Sequence, residues 1–128
     1  MSQQQLTVGF IGAGMMASAL MDGLIAKEVV PGPASITCSD IFWQPSLDTA
    51  TKKGIQTTKS NKEVCEKSAD GVVILAVKPN IIPHVCKDIA EVSGSSALIV
   101  SIAAGVTLEA LQGSLPGRRV GECNHVIL

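Results

Sequence analysis

The sequence predicts an α/β domain, a mainly parallel sheet covered by helices in three layers, and three observations carry that expectation. Short apolar runs alternate with stretches of helical periodicity along the whole chain. The apolar residues, 46% of the total, are aliphatic, since only Phe10, Phe42 and Trp43 are aromatic, and Val, Ile, Leu and Ala are the usual filling of buried parallel strands. A glycine-rich turn stands between the first apolar run and the first helical stretch. The length, 128 residues, suits a single domain over residues 1–128.

The elements follow in order. Leu6 to Ile11 reads as a strand that ends in glycines, and Met15 to Ala26 as a helix with Met16, Ala19, Leu20, Gly23 and Leu24 at helical spacing. Pro31-Gly32-Pro33 breaks the chain before a second strand, Ser35 to Ser39, which feeds into Asp40. Gln44 to Lys53 suits a polar helix with Leu47, Ala50 and Thr51 turned inward and Gly54 as its stop. Ile55 to Thr57 is a short third strand, and Ser60-Asn61-Lys62-Glu63 has the form of a capping box that opens a helix to Lys67.

Gly71 to Val77 is the most apolar stretch and predicts the central strand. Pro79 suits the first turn of the next helix, where Ile82, Val85, Cys86 and Ile89 form a stripe opposite Lys87, Asp88 and Glu91. Ala97 to Ile102 is a further buried strand, and Thr107 caps a last helix through Leu111.

Several function classes are disfavoured. Ten basic and eleven acidic residues give a net charge of -1 without a basic run, so nucleic acid is not an expected partner. The start lacks the features of a secretory signal, and no apolar run approaches the roughly 18 residues of a membrane span. Cys38, Cys65, Cys86 and Cys123 are scattered, without Cys-x-x-Cys pairs or histidines at ligand spacing. They read as small buried hydrophobes of a reducing, cytoplasmic protein, and no metal is expected.

The chemistry concentrates at the predicted carboxyl ends of the strands, where ligands sit in open parallel sheets. Gly12-Ala13-Gly14-Met15-Met16-Ala17 matches Gly-x-Gly-x-x-Ala in its strand-to-helix context, which makes the domain Rossmann-like and points to a dinucleotide. Gly12 permits the tight turn, Gly14 lets a diphosphate approach the backbone, and Ala17 keeps helix and strand close. The bland alternative is a glycine turn without a ligand.

Asp40 suits the adenosine ribose hydroxyls and taken alone favours NADH. It lies further beyond Gly14 than the usual spacing of about 20, and a turn residue or a phosphate-facing Ser39 are the alternatives. Ala76-Val77-Lys78-Pro79 leaves the central strand at the same edge, so Lys78 reaches cofactor or substrate unless it is merely solvated. Ser101 to Gly105 is small enough for a nicotinamide ring to lie close, or for tight helix packing. His84 reads as a surface or packing residue, His125 lies in the tail, and no nucleophile triad or carboxylate pair is present.

Four segments together resemble the pyrroline-5-carboxylate reductases over about residues 6–120. They are Val8 to Ala17, Ser60 to Glu63, Ile74 to Pro79, and Val100 to Thr107. The resemblance implies hydride transfer from NADPH or NADH to the C=N bond of the cyclic imine pyrroline-5-carboxylate, the last step of proline biosynthesis. It implies cofactor contacts from Ile11, Gly12, Ala13, Gly14, Met15 and Met16 to the diphosphate, and from Asp40 and Asn61 to the adenosine side. Ala76, Val77, Lys78, Pro79 and Ala104 would lie on the nicotinamide side.

Asp40 stands where the family usually has a small hydroxyl or basic residue, which leaves the choice between NADPH and NADH open. From Gly121 to Leu128 the chain departs from the family, so a truncated product is expected. On that expectation the catalytic residues, the substrate site and the homo-oligomer contacts belong to a helical domain beyond this sequence. The alternatives are a non-catalytic nucleotide-binding module and a reductase of the β-hydroxyacid dehydrogenase type.

Overall fold

The computed structural model describes residues 6–122. Six strands, β1 (Val8–Ile11), β2 (Ile36–Ser39), β3 (Gln56–Thr58), β4 (Val72–Leu75), β5 (Leu98–Ser101) and β6 (Arg119–Glu122), form one sheet. Its order is β3-β2-β1-β4-β5-β6 and every neighbouring pair is parallel. The helices are α1 (Met15–Ala26), α2 (Gln44–Lys52), α3 (Asn61–Lys67), α4 (Ile82–Ala90) and α5 (Leu108–Ser114). The expected three-layer α/β architecture is the one observed.

The two-residue period of the strands sorts side chains onto two cores. Val8 and Phe10 of β1 point to the face covered by α1 and α2, where Ala17, Met21, Leu47 and Ala50 are buried with them. Ile11, Val73 and Leu75 point to the opposite face, against Val64 of α3, Val85 and Ile89 of α4 and Leu111 of α5. The stripe predicted for α4 is buried as expected.

Elsewhere the structure departs from the sequence expectation for physical reasons. Helix α1 is apolar nearly all round, so spacing alone does not select its inner face. The glycine turn sets its rotation, which buries Ala17 and Met21 and turns Met16 and Gly23 outward. Thr51 is exposed, its hydroxyl bonded to the Leu47 carbonyl and facing Thr57. Pro79–Ile81 forms a separate 3-10 turn before α4. The capping box of α3 is half formed: Ser60 Oγ accepts from the Glu63 N–H at 3.2 Å, but the Glu63 carboxylate accepts from Thr58 Oγ1 at 2.8 Å.

Strand β6 has no apolar run to announce it. It pairs with β5 from Leu98↔Arg119 to Ser101↔Glu122, so Gly121 and Glu122 belong to the sheet. The preceding Arg118 donates to the carbonyls of Ile89, at 3.2 Å, and Val92, closing the end of α4. Cys123 and His125 lie outside the described residues.

A close contact limits substitution at the start of β4. A Cβ on Gly71, just before β4, would stand 1.9 Å from the Thr7 carbonyl oxygen, where only backbone movement relieves the clash. Gly71→Ala is therefore expected to lower the unfolding free energy by about 3 kcal/mol in a denaturant titration. A loss under about 0.5 kcal/mol would show that the start of β4 yields easily.

Cys38, Cys65 and Cys86 are free and buried. Burial pushes the Cys38 and Cys65 thiols from 9.0 to about 11, with the Asp40 carboxylate adding to the rise at Cys38. Because the folded values lie above the unfolded ones, the stabilisation is complete below pH 9.0 and is lost as pH rises toward about 11. At neutral pH both thiols should escape iodoacetamide in the native chain and react once it is unfolded, as read by peptide mass mapping. Rapid native labelling of either would contradict this burial.

Candidate functional site

After β3 the chain returns to the middle of the sheet and places β4 beside β1, on the side opposite β2. At that reversal the loops leaving β1 and β4 part, and the carboxyl end of the sheet opens into a crevice. A cleft of about 420 Å³ occupies the position. Its floor is made at the ends of three strands: Ile11 closing β1 and Gly12 after it, Ser39 closing β2 and Asp40 after it, and Ala76 and Val77 after β4.

Gly12 decides the shape of the floor. It has φ +102°, and a Cβ there would stand 2.4 Å from the Ala76 carbonyl oxygen, so only glycine allows the turn to press against the exit of β4. The turn is held from both sides: the Gly12 N–H donates to the Ser39 carbonyl at 2.8 Å, and the Ala76 N–H to the Ile11 carbonyl at 2.8 Å.

Gly14 has another role. It is the N-cap of α1, has φ -71°, and no side chain caps the helix. The amides of the first turn have no acceptor within their own helix. A Cβ on Gly14 would meet nothing within 4 Å, so the glycine keeps open space in front of those amides rather than relieving a clash.

Asp40 is held by three backbone donors. Its Oδ2 accepts from the Ala13 N–H at 3.2 Å, and its Oδ1 accepts from the N–H groups of Phe42 and Trp43, each at 3.0 Å. The carboxylate thus ties the glycine turn to the loop that follows β2. The other polar element of the floor is a relay through Asn61 at the start of α3. Ser39 Oγ donates to Asn61 Oδ1 at 2.8 Å, and Asn61 Nδ2 donates to Asp88 Oδ2 of α4 at 3.0 Å. Ser39 and Asn61 are buried, and among the described residues no buried side-chain polar atom lacks a partner.

Of the residues singled out from sequence, Ile11, Gly12, Gly14, Asp40, Asn61, Ala76, Val77 and Lys78 come together around this cleft. Ala13 is buried beneath the turn and contributes its amide to Asp40. Met15 is 93% exposed and Met16 is exposed, both pointing away from the core. Pro79 and Ala104 are exposed and are not among the residues lining the cleft, and His84 is exposed on α4.

Three cleft residues after β2 had no site reading in the sequence, Ile41, Phe42 and Trp43, nor had Asn80 and Ile81 before α4, while Val85 of the buried α4 stripe also lines the cleft. The first three carried a signal: large apolar residues in a row between a strand end and a polar helix, with no periodicity that would bury them. Among the described residues no His, Cys, Asp and Glu side chains cluster in a way that could hold a metal ion, and no helix is long and apolar enough to cross a membrane.

Residues 7–105 match the family described as NADP oxidoreductase, coenzyme F420-dependent. The chain is 42% identical over 115 residues to pyrroline-5-carboxylate reductase 3 of Danio rerio, covering 88% of this chain and 38% of that protein. It is 39% identical over 114 residues to the pyrroline-5-carboxylate reductase of Methanosarcina acetivorans, covering 88% of this chain and 41% of that one. The chain therefore spans about two-fifths of the length of these curated relatives.

Among solved structures it resembles a pyrroline-5-carboxylate reductase from Coxiella burnetii, with TM-score 0.78 and 31% identity over 91% of this chain and 43% of the other. A prephenate dehydrogenase from A. aeolicus shares the fold alone, with TM-score 0.75 and 22% identity over 94% and 42% of the respective chains.

Removing the Asp40 carboxylate leaves three amides without their acceptor. Asp40→Ala is expected to cost about 1–3 kcal/mol and to speed hydrogen exchange at Ala13, Phe42 and Trp43 ahead of the sheet. Unchanged exchange at those three amides would mean that the carboxylate does not hold the loop.

Proposed function

The chain belongs to the NADP oxidoreductase, coenzyme F420-dependent, family, and we propose that it is the cofactor-holding part of a pyrroline-5-carboxylate reductase. Its cofactor is NADPH or NADH, which when bound supplies the hydride that reduces the C=N bond of 1-pyrroline-5-carboxylate to give L-proline. The observation that carries this reading is the uncapped start of α1, which opens through Gly14 onto a cleft at the sheet reversal. The relatives' names and the resemblance of the four sequence segments support the same choice.

The chain's own residues bind and orient. The Gly14, Met15 and Met16 amides receive the diphosphate, whose charge meets the positive end of α1. Asp40 and Asn61 take the adenosine side, and Val77, Lys78 and Ala104 border the nicotinamide side. Ala76 and Pro79 fix the path of the β4 exit. Asn61 is suited to its part because Ser39 and Asp88 set the orientation of its amide before any ligand arrives. The reaction belongs to the cytoplasm, where unpaired buried thiols such as Cys38 persist. Self-association and the residues that handle the imine belong to the remainder of the reductase.

Gly14→Val separates binding from folding. The new side chain enters open space, so stability should change by less than about 1 kcal/mol. The space it fills is the approach to the helix amides, and losing two charge-assisted hydrogen bonds of about 1.5–3 kcal/mol each should weaken NADH and NADPH at least about 100-fold by calorimetry. Wild-type affinity in a folded Gly14→Val chain would remove the turn from the site. Adding the cyclic imine and following cofactor oxidation tests how much of the reaction this chain performs unaided.

A further inference from the structure

We propose that Asp88 of α4 is a positioning residue for the cofactor: it lies outside the cleft, and its carboxylate decides which way the Asn61 amide is turned. The inference rests on the cleft being the dinucleotide site and adds to that reading a residue that touches no ligand.

A primary amide has two ends of nearly the same shape, one a donor and one an acceptor, so only its bonding partners orient it. Asn61 has two such partners. Ser39 Oγ lies 2.8 Å from its Oδ1, and Asp88 Oδ2 lies 3.0 Å from its Nδ2. The Ser39 hydroxyl donates or accepts and would bond either end of the amide. The carboxylate only accepts, so it takes the nitrogen and leaves the oxygen to Ser39. The hydroxyl proton of Ser39 is thereby committed to Asn61, and the relay runs in one direction from Ser39 through Asn61 to Asp88.

The effect reaches the cleft because Ser39 and Asn61 line it, whereas Asp88 does not. With the relay directed, Asn61 keeps one N–H and one lone pair in fixed positions, and Ser39 can only accept. A turned amide would exchange donor for acceptor at the wall of the site. Both residues are buried, so such a mismatch with a ligand would cost a polar group its partner. Other contacts join the two helices. Val64 of α3 shares a core with Val85 and Ile89 of α4, and Lys62 of α3 pairs with Glu91 at the end of α4. Removing the Asp88 carboxylate should therefore release the amide and leave the packing in place.

The intact chain is titrated with NADH and with NADPH by calorimetry. Asp88→Leu, of similar size and without an acceptor, should weaken the tighter of the two about five-fold or more. Asp88→Asn restores an acceptor but permits both orientations of Asn61, so its loss should be no more than about two-fold. In an Asn61→Ala background, Asp88→Leu should cost less than about 1.5-fold further, because the residue through which it acts is gone.

The Asn61 amide protons supply a readout that a change in stability alone does not move. The chain has three asparagines, so the Asn61 side-chain resonances are assigned by their disappearance in Asn61→Ala. In the unmodified chain the Nδ2 proton on Asp88 should lie downfield and exchange slowly, and Asp88→Leu should abolish that signature.

An equal loss from Asp88→Leu with Asn61 present and absent overturns the proposal, as does unchanged affinity. So does an unmodified chain whose Asn61 amide protons exchange freely, an outcome that needs no variant and decides the case if Asp88→Leu does not fold. If a dinucleotide binds and Gly14→Val abolishes that binding while Asp88→Leu has no effect, only the role of Asp88 fails. If neither dinucleotide binds the unmodified chain, the cleft assignment fails and the role of Asp88 fails with it.

Discussion

The closeness of Gly12 to the Ala76 carbonyl is the constraint on which the rest of the molecule depends. No side chain fits between the turn after β1 and the exit of β4, so the two central strands end at the same level and their loops diverge from one point. The direction of α1 follows from the same turn, because the chain enters the helix directly from it. The uncapped start of α1 is thereby brought to the cleft, and Ala17 and Met21 are turned against β1. A β4 that ended elsewhere would leave the glycines without a wall to press on.

Around that corner the polar groups form a frame rather than a set of independent ligands. Asp40 links the turn after β1 to the loop after β2, and Asn61 links β2 through Ser39 to α4 through Asp88. The Ala13–Asp40, Ser39–Asn61 and Asn61–Asp88 bonds join elements distant in sequence, so the geometry of the cleft is maintained by the tertiary fold before a ligand is present. A frame of this kind lowers the reorganisation needed when charge is brought into the site. It also explains why the cleft carries so few polar groups: most of those present already hold one another.

Much of the architecture could be read from residue order because its signals are local. The continuous apolar run ending in Val77, the stripe Ile82, Val85, Cys86 and Ile89, and the Thr107 cap each express a preference within one element, and the structure realises all three. The sequence signals weakened where an element lacks a pattern of its own. Strand β6 is Arg-Val-Gly-Glu, which resembles a loop and becomes a strand only because β5 offers it an edge and Arg118 closes the end of α4 beside it. Helix α1 is apolar on most sides, and its inward face is chosen by the turn and not by its own spacing.

What the residues determined unaided is the alternation of strand and helix and the chemistry of Gly-x-Gly-x-x-Ala at the first corner, since backbone freedom and hydrophobic period are properties of short segments. Tertiary structure alone decided which groups meet. It set the carboxylate of Asp40 on the amide of Ala13, joined Ser39, Asn61 and Asp88, and left Phe42 and Trp43 open at the mouth of the cleft. The physical reason is that these contacts cross between strands and helices whose separation in space is fixed by sheet order and packing, quantities that no short stretch of sequence contains.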